Sequence, residues 1–221
     1  MNVQKLNIDI GGIEWLESEN VSDYEACIKF MEDRAIAIRN NEANECVWFV
    51  EHTPLYTAGT SAQDNDLISN NFPVFKTGRG GQYTYHGTGQ RTIYLMLDLQ
   101  KRKLGIKEYV TQLEQWVIDT LAEFGIKGER RCGRVGIWVD NGNGTEDKVC
   151  AIGVRVKKWV SYFGIAFNIN PDLSHYNGII PCGISDNNFG VGSLEKLGIN
   201  SNKKGVDDTF INTFNKNFPK P

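Results

Sequence analysis

Two residues of this chain carry side chains suited to covalent chemistry, in settings that could deliver it. Cys182 stands between Pro181 and Gly183, and Lys148 opens the apolar run KVCAIGVRV. Proline fixes one backbone angle ahead of the sulfur and glycine removes a side chain beside it, while Ile179 and Ile180 supply an apolar anchor upstream. That is how a thiol is presented to an incoming group. An unassisted cysteine is mostly protonated at neutral pH, but a nearby ammonium stabilises the thiolate, and the thiolate is the nucleophile. A lysine folded against Cys182 would make it a reagent, and Lys148 is the candidate. Most cysteines are small residues of the core and most lysines are solvated. These two residues alone therefore leave packing as the commoner explanation, and the rest of the chain has to decide.

At 221 residues, with 40% hydrophobic and 23% charged residues, the composition is that of a single globular domain spanning 1–221. A formal net charge of −3 and a pI near 5.7 supply no field for a polyanion, so no nucleic-acid partner is expected. The first twenty residues carry Lys5, Asp9, Glu14, Glu17 and Glu19, which does not resemble a signal peptide, and no run approaches membrane-spanning length. No membrane association is expected, and a cytoplasmic location is. Cysteines at 27, 46, 132, 150 and 182 are odd in number and form no C-x-x-C pair, which favours free thiols in a reducing compartment. The three histidines are scattered, so no metal site is expected, and His52 and His175 read as structural.

The elements that must position the chemistry follow from periodicity. Ser22 and Glu25 have capping-box spacing, and Tyr24, Cys27, Ile28, Met31, Ala35 and Ile38 then recur on one helical face up to Asn40. ECVWFVE over 45–51 and RTIYLMLDL over 91–99 read as buried strands. The segment from Pro54 to Asn71 reads as a polar loop. Residues 82–86 alternate, with Gln82, Thr84 and His86 on one face and Tyr83 and Tyr85 on the other, after the glycine-rich stretch Gly78 to Gly81. A second helix is predicted from Ile106 to Phe124, stopped by Gly125. Gly133 to Val139 and Lys148 to Val156 read as a hairpin with a long loop, and Val160 to Ile169 as a strand interrupted by Gly164. Ser193 to Leu197 and Asp207 to Phe214 are helix candidates.

Taken together, EHTP with Tyr56-Thr57 and Gly59, RGGQYTYHGTGQ from Arg79, KVCAIGVRV from Lys148, GIAFNINPDL from Gly164 and IPCGI from Ile180 resemble the lipoyl(octanoyl) transferase family. The glycine-rich run and the PCG tripeptide are specific in combination. Thr53 and Thr88 replace expected prolines and Cys150 an alanine or serine, and none of these removes a group the chemistry needs. The resemblance implies an α/β fold of the α+β type, a mixed β-sheet with helices packed on one side, similar to the catalytic domain of biotin and lipoate protein ligases. It implies an acyltransferase that moves an octanoyl or lipoyl group from acyl carrier protein to a specific lysine of lipoyl domains. Those domains would be the ones on 2-oxoacid dehydrogenase E2 subunits and the glycine cleavage H protein. Cys182 would carry the acyl-thioester and Lys148 would lower its pKa and shuttle the proton.

No cofactor is implied, because the acyl group arrives on a phosphopantetheine arm, and the enzyme is expected to act as a monomer. The resemblance assigns substrate binding to Arg79, Gly80, Gly81, Gln82, Tyr83, Thr84, Tyr85 and His86, to Ala151, Ile152 and Gly153, and to Gly164, Ile165 and Ala166. Small residues there would leave a groove, and each buried methylene contributes about 0.8 kcal/mol. Acyl carrier proteins are acidic, so Arg79, Arg155, Lys157 and Lys158 are expected to form a basic patch at the mouth. The alternative enzyme is an ATP-dependent lipoate or biotin-type ligase on the same fold. A non-catalytic binding module would have no need of Lys148, and a cysteine hydrolase would need a histidine placed near Cys182.

Overall fold

The run Cys46-Val47-Trp48-Phe49-Val50 is apolar at every position because both faces of the strand it forms are covered. The computed structural model describes residues 2–180 and 188–220. Pro181, Cys182, Gly183 and Ile184 lie outside the described residues. In chain order the elements are β1 (Val3–Lys5), β2 (Glu14–Ser18), α1 (Tyr24–Arg39), β3 (Cys46–Val50), β4 (Leu55–Ala58), β5 (Val74–Lys76), β6 (Tyr83–His86) and β7 (Gln90–Met96). They continue with α2 (Ile106–Glu123), β8 (Glu129–Arg131), β9 (Arg134–Asp140), β10 (Glu146–Lys157), β11 (Val160–Asn168), β12 (Phe189–Val191) and α3 (Lys203–Asn217).

Strands are ordered β1-β2-β3-β7-β11-β10-β9-β8 in the main sheet, with β12 added beside β10. The β2–β3 and β10–β12 pairs are parallel and the others antiparallel, so the expected mixed sheet is borne out. A smaller sheet, β5-β4-β6, lies off this path. Side chains alternate across a strand. Val47, Phe49, Ile93 and Leu95 meet Leu113, Trp116 and Val117 of α2 and Phe210 and Phe214 of α3, whereas Trp48, Val50, Tyr94 and Met96 meet Tyr24, Cys27, Met31, Ala35 and Ile38 of α1. Helices thus cover both faces, not one, which is what strands apolar at every position require.

Four local readings are corrected. The cap of α1 is Asp23, whose Oδ1 accepts from the Ala26 N–H at 2.8 Å. Ser22, one residue earlier, is instead committed to a strand-like bridge with His52. The segment read as a polar loop contains the fully buried β4, hidden between Pro54 and polar flanks. The last helix starts at Lys203, capped by Asn202, earlier than its apolar residues suggested, and Ser193 to Leu197 closes in hydrogen-bonded turns.

One buried charge ties the C-terminal helix to the sheet. Arg91 of β7 is fully buried and donates twice to Asp207 of α3, at 2.8 and 2.6 Å, and once to Glu17 of β2 at 3.0 Å. Removing one partner of such a pair strands the other charge away from water. Asp207→Ala is therefore expected to reduce the unfolding free energy by about 3–5 kcal/mol, read from urea denaturation followed by circular dichroism.

Candidate active site

The site begins with four small residues. In the β10–β11 pairing Ala151 lies opposite Ala166 and Gly153 opposite Gly164. Over them, beside the first turn of α1, is a cavity of about 440 Å³ lined by these four residues together with Ile152, Ile165, Arg79, Gly81, Gln82, Tyr83, Thr84, His86 and Lys148. The two glycines do different work. A Cβ on Gly153 would stand 2.9 Å from Arg79 Cδ, so its bareness seats the Arg79 loop; one on Gly164 would stand 2.2 Å from the Ile93 carbonyl oxygen, so its bareness lets β11 lie against β7. Sheet packing and cavity floor are here the same requirement.

Arg79 holds the roof. It is buried, and its guanidinium donates to the carbonyls of Thr57, Gly80 and Gln82 and, at 2.6 Å, to Thr57 Oγ1. A charge engaged by carbonyls of its own loop is a clamp, so Arg79 does not belong to the expected basic patch. Arg155 lies over the Tyr162 ring at 5.7 Å, while Lys157 and Lys158 are exposed near the β10–β11 turn. Gly80 is not a lining residue; its N–H donates to the Val154 carbonyl and so ties the loop to β10. Tyr85 is likewise absent from the lining. Its ring packs among Tyr56, Phe72 and Tyr176, where its hydroxyl meets His175 Nδ1 at 2.8 Å.

The deeper wall is aromatic and uncharged. Tyr24, Thr92, Tyr94 and Phe163 line it. His52 Nδ1 faces the Ser22 carbonyl at 2.9 Å, an acceptor only, so Nδ1 carries the proton and Nε2 accepts from the Tyr94 hydroxyl at 2.7 Å. Burial pulls its pKa down to about 4. His86 is held the same way: Gln90 Nε2 donates to the Tyr85 carbonyl, which leaves Gln90 Oε1 to accept from His86 Nδ1 at 2.8 Å. Burial first, then the neighbouring His52 and Arg79, keep the His86 imidazole well below its ordinary pKa. Burial also pushes the Tyr24 and Tyr94 phenols up, so the wall stays neutral.

Lys148 enters the cavity by way of an irregularity. Between Lys148 and Cys150 the register of β10 against β9 slips, two residues of β10 opposing one of β9, which is a β-bulge. Val149 and Cys150 both turn to the helix-covered core, and Lys148 comes onto the cavity side with Ala151 and Gly153. Its Nζ donates to the Val135 carbonyl at 2.8 Å and lies 5.0 Å from the centre of the Trp138 ring. The adjacent Cys150 is fully buried and its thiol is pushed up by that burial, so it is no rival to Cys182 for reagents in solution.

Cys182 lies outside the described residues. Ile180 N–H donates to the Asp66 carbonyl at 2.8 Å; downstream, β12 pairs parallel to β10 with Val191 beside Lys148.

Residues 23–215 match the model of the lipoyl protein ligase A/B catalytic domain. The chain belongs to this family. It is 57% identical to an octanoyltransferase of Maricaulis maris over 187 residues, which cover 84% of this chain and 83% of that protein. It is 55% identical to an octanoyltransferase of Paramagnetospirillum magneticum, over 91% of this chain and 95% of that one. The fold is similar to that of a bi-partite lipoate protein ligase from Thermoplasma acidophilum, with TM-score 0.66 and 15% identity, covering 96% of this chain and 86% of the other.

Membership leaves the residues that sequence reasoning missed to be explained by geometry. Tyr24 fits the α1 core stripe and Tyr94 an apolar strand, so neither stood apart from core; the phenol hydroxyl in an otherwise aliphatic run was the available signal. Gly133, Arg134 and Val135 reach the cavity through the β8–β9 turn, and Ser61 from the loop after β4. Among the described residues no helix is long and apolar enough to cross a membrane.

The neutral histidines predict an acid response. A histidine with a depressed folded pKa binds its proton more readily unfolded, so stability is lost as pH falls from about 6.5 through 4. His52 alone should remove about 3 kcal/mol by pH 4. Urea unfolding across that range is expected to show a shallower decline in His52→Gln than in the natural sequence.

Proposed function

We propose that this chain is an octanoyltransferase of protein lipoylation, taking an octanoyl or lipoyl group from the pantetheine thiol of acyl carrier protein and delivering it to a lipoyl-domain lysine through an acyl-Cys182 intermediate. The observation that carries the reading is Lys148: a buried lysine turned by a strand irregularity into a small-floored cavity, beside the strand into which the Cys182 segment leads. The relatives named octanoyltransferase support it.

In the first half-reaction the Cys182 thiolate, paired with the Lys148 ammonium, attacks the thioester carbonyl. The carbon–sulfur bond to pantetheine breaks, and the departing thiolate takes the Lys148 proton. In the second, the lipoyl-domain amine attacks the Cys182 thioester and gives its proton to neutral Lys148. The amide forms, Cys182 leaves as thiolate, and the ion pair is restored. The thioester's own reactivity drives the transfer, so neither nucleotide nor cofactor enters. The cavity holds the acyl chain against the aromatic wall, its methylenes contributing about 0.8 kcal/mol each. Lipoyl domains of 2-oxoacid dehydrogenase E2 subunits and the glycine cleavage H protein are the acceptors, and a cytoplasmic monomer is the working form.

Intact-protein mass spectrometry after mixing with octanoyl-acyl carrier protein, without ATP, tests this. One octanoyl group should be gained, be absent in Cys182→Ala and be discharged by a lipoyl domain. Lys148→Ala should slow transfer about 10²–10⁴-fold. Product formed only when ATP and free octanoate are supplied would assign the chain to the ligases instead.

A further inference from the structure

The carbonyl that receives Lys148 belongs to a peptide unit with a second partner. The N–H of that same peptide, on Gly136, donates to Glu114 Oε1 at 3.4 Å. Glu114 stands on α2, across the sheet from the cavity, and is only 9% exposed. Its other carboxylate oxygen accepts from Arg130 Nε at 3.1 Å. One amide therefore lies between a carboxylate and an ammonium, its N–H end toward the first and its carbonyl toward the second. Each charge polarises the amide in the sense that favours the other.

The backbone at Gly136 is shaped for this approach. Its φ is +121°, and a Cβ there would stand 2.6 Å from the Cys150 carbonyl oxygen and 3.0 Å from Lys148 Cε. A side chain would push Lys148 away from the carbonyl that holds it.

We propose that Glu114 is a positioning residue for Lys148, acting through the Val135–Gly136 peptide: it fixes the carbonyl that aims the lysine and sets its carboxylate behind it. The proposal rests on the reading of Lys148 as the proton carrier of transfer. A lysine that gives a proton to the departing thiolate and takes one from the incoming amine must keep its nitrogen at one point through both half-reactions. Among the described residues, Arg134 of β9 lines the same cavity as Lys148, its guanidinium 6.0 Å from the centre of the Trp138 ring. Arg130 from β8 pairs with Glu114, the Trp138 ring of β9 flanks Lys148, and the buried, uncharged Cys150 of β10 feels both. Asp147, next to Lys148 in sequence, is paired with Lys196 at 2.7 Å.

The test is the pH profile of kcat/KM for octanoyl transfer from acyl carrier protein to a lipoyl domain. It compares the natural sequence, Glu114→Gln and Arg130→Gln, with Lys148→Ala and Cys182→Ala run alongside. Glutamine at 114 keeps an acceptor for the Gly136 N–H and removes only the charge. Losing that carboxylate should move the alkaline limb down by about 0.5–1 pH unit, and losing the Arg130 cation should move it up. Opposite shifts are a signature that general weakening of the fold does not produce. Unmoved limbs, or shifts of the same sign, overturn the proposal. If Glu114→Gln fails to fold, the upward shift in Arg130→Gln decides alone. Full transfer by Lys148→Ala would instead overturn the reading of Lys148 itself.

Discussion

One extra residue in β10 decides which way Lys148 faces. In an unbroken strand positions 148 and 151 project to opposite sides of the sheet. The bulge between Lys148 and Cys150 resets that parity, so that a lysine and the Ala151–Gly153 floor share one side while Val149 and Cys150 complete the core on the other. Shortening the strand by a residue would turn the ammonium into the helix-packed layer, where a charge without partners is costly. The rest of the arrangement is built to accept this turn: Gly136 makes room for the lysine, the Val135 carbonyl receives it, and β12 lies alongside.

The cavity is also defined by what it lacks. His52, His86, Tyr24 and Tyr94 are all kept uncharged by burial and hydrogen bonding, and the Arg79 cation is engaged by backbone carbonyls. An apolar chain entering such a space would meet the His86 imidazole and the Tyr94 hydroxyl already bonded to Gln90 and His52.

Much of this was legible beforehand where one physical signal dominates. The α1 and α2 stripes and the two apolar strands were read correctly, because period and residue size are properties of the sequence itself, and the small residues of β10 and β11 do line the cavity. The errors fall where a residue has two possible employments. Ser22 has the chemistry of a cap but its backbone is taken by the bridge to His52; the Tyr85 hydroxyl is taken by His175; the Arg79 charge is engaged by the carbonyls of Thr57, Gly80 and Gln82. The bulge could not be read at all. It is a relation between two strands, and neither strand's sequence contains it alone.

Trp138 gives the buried proton an outward sign. Its indole is buried and lies 5.0 Å from Lys148 Nζ; Trp15, Trp48 and Trp116 are buried elsewhere, and Trp159 is half-exposed. An indole's light emission depends on the electric field across its ring, and the Lys148 amine and the Arg134 guanidinium, 6.0 Å from the ring centre, are both sources of that field. Under the mechanism proposed above, the Trp138 contribution to the fluorescence would change as its lysine gains and loses the proton.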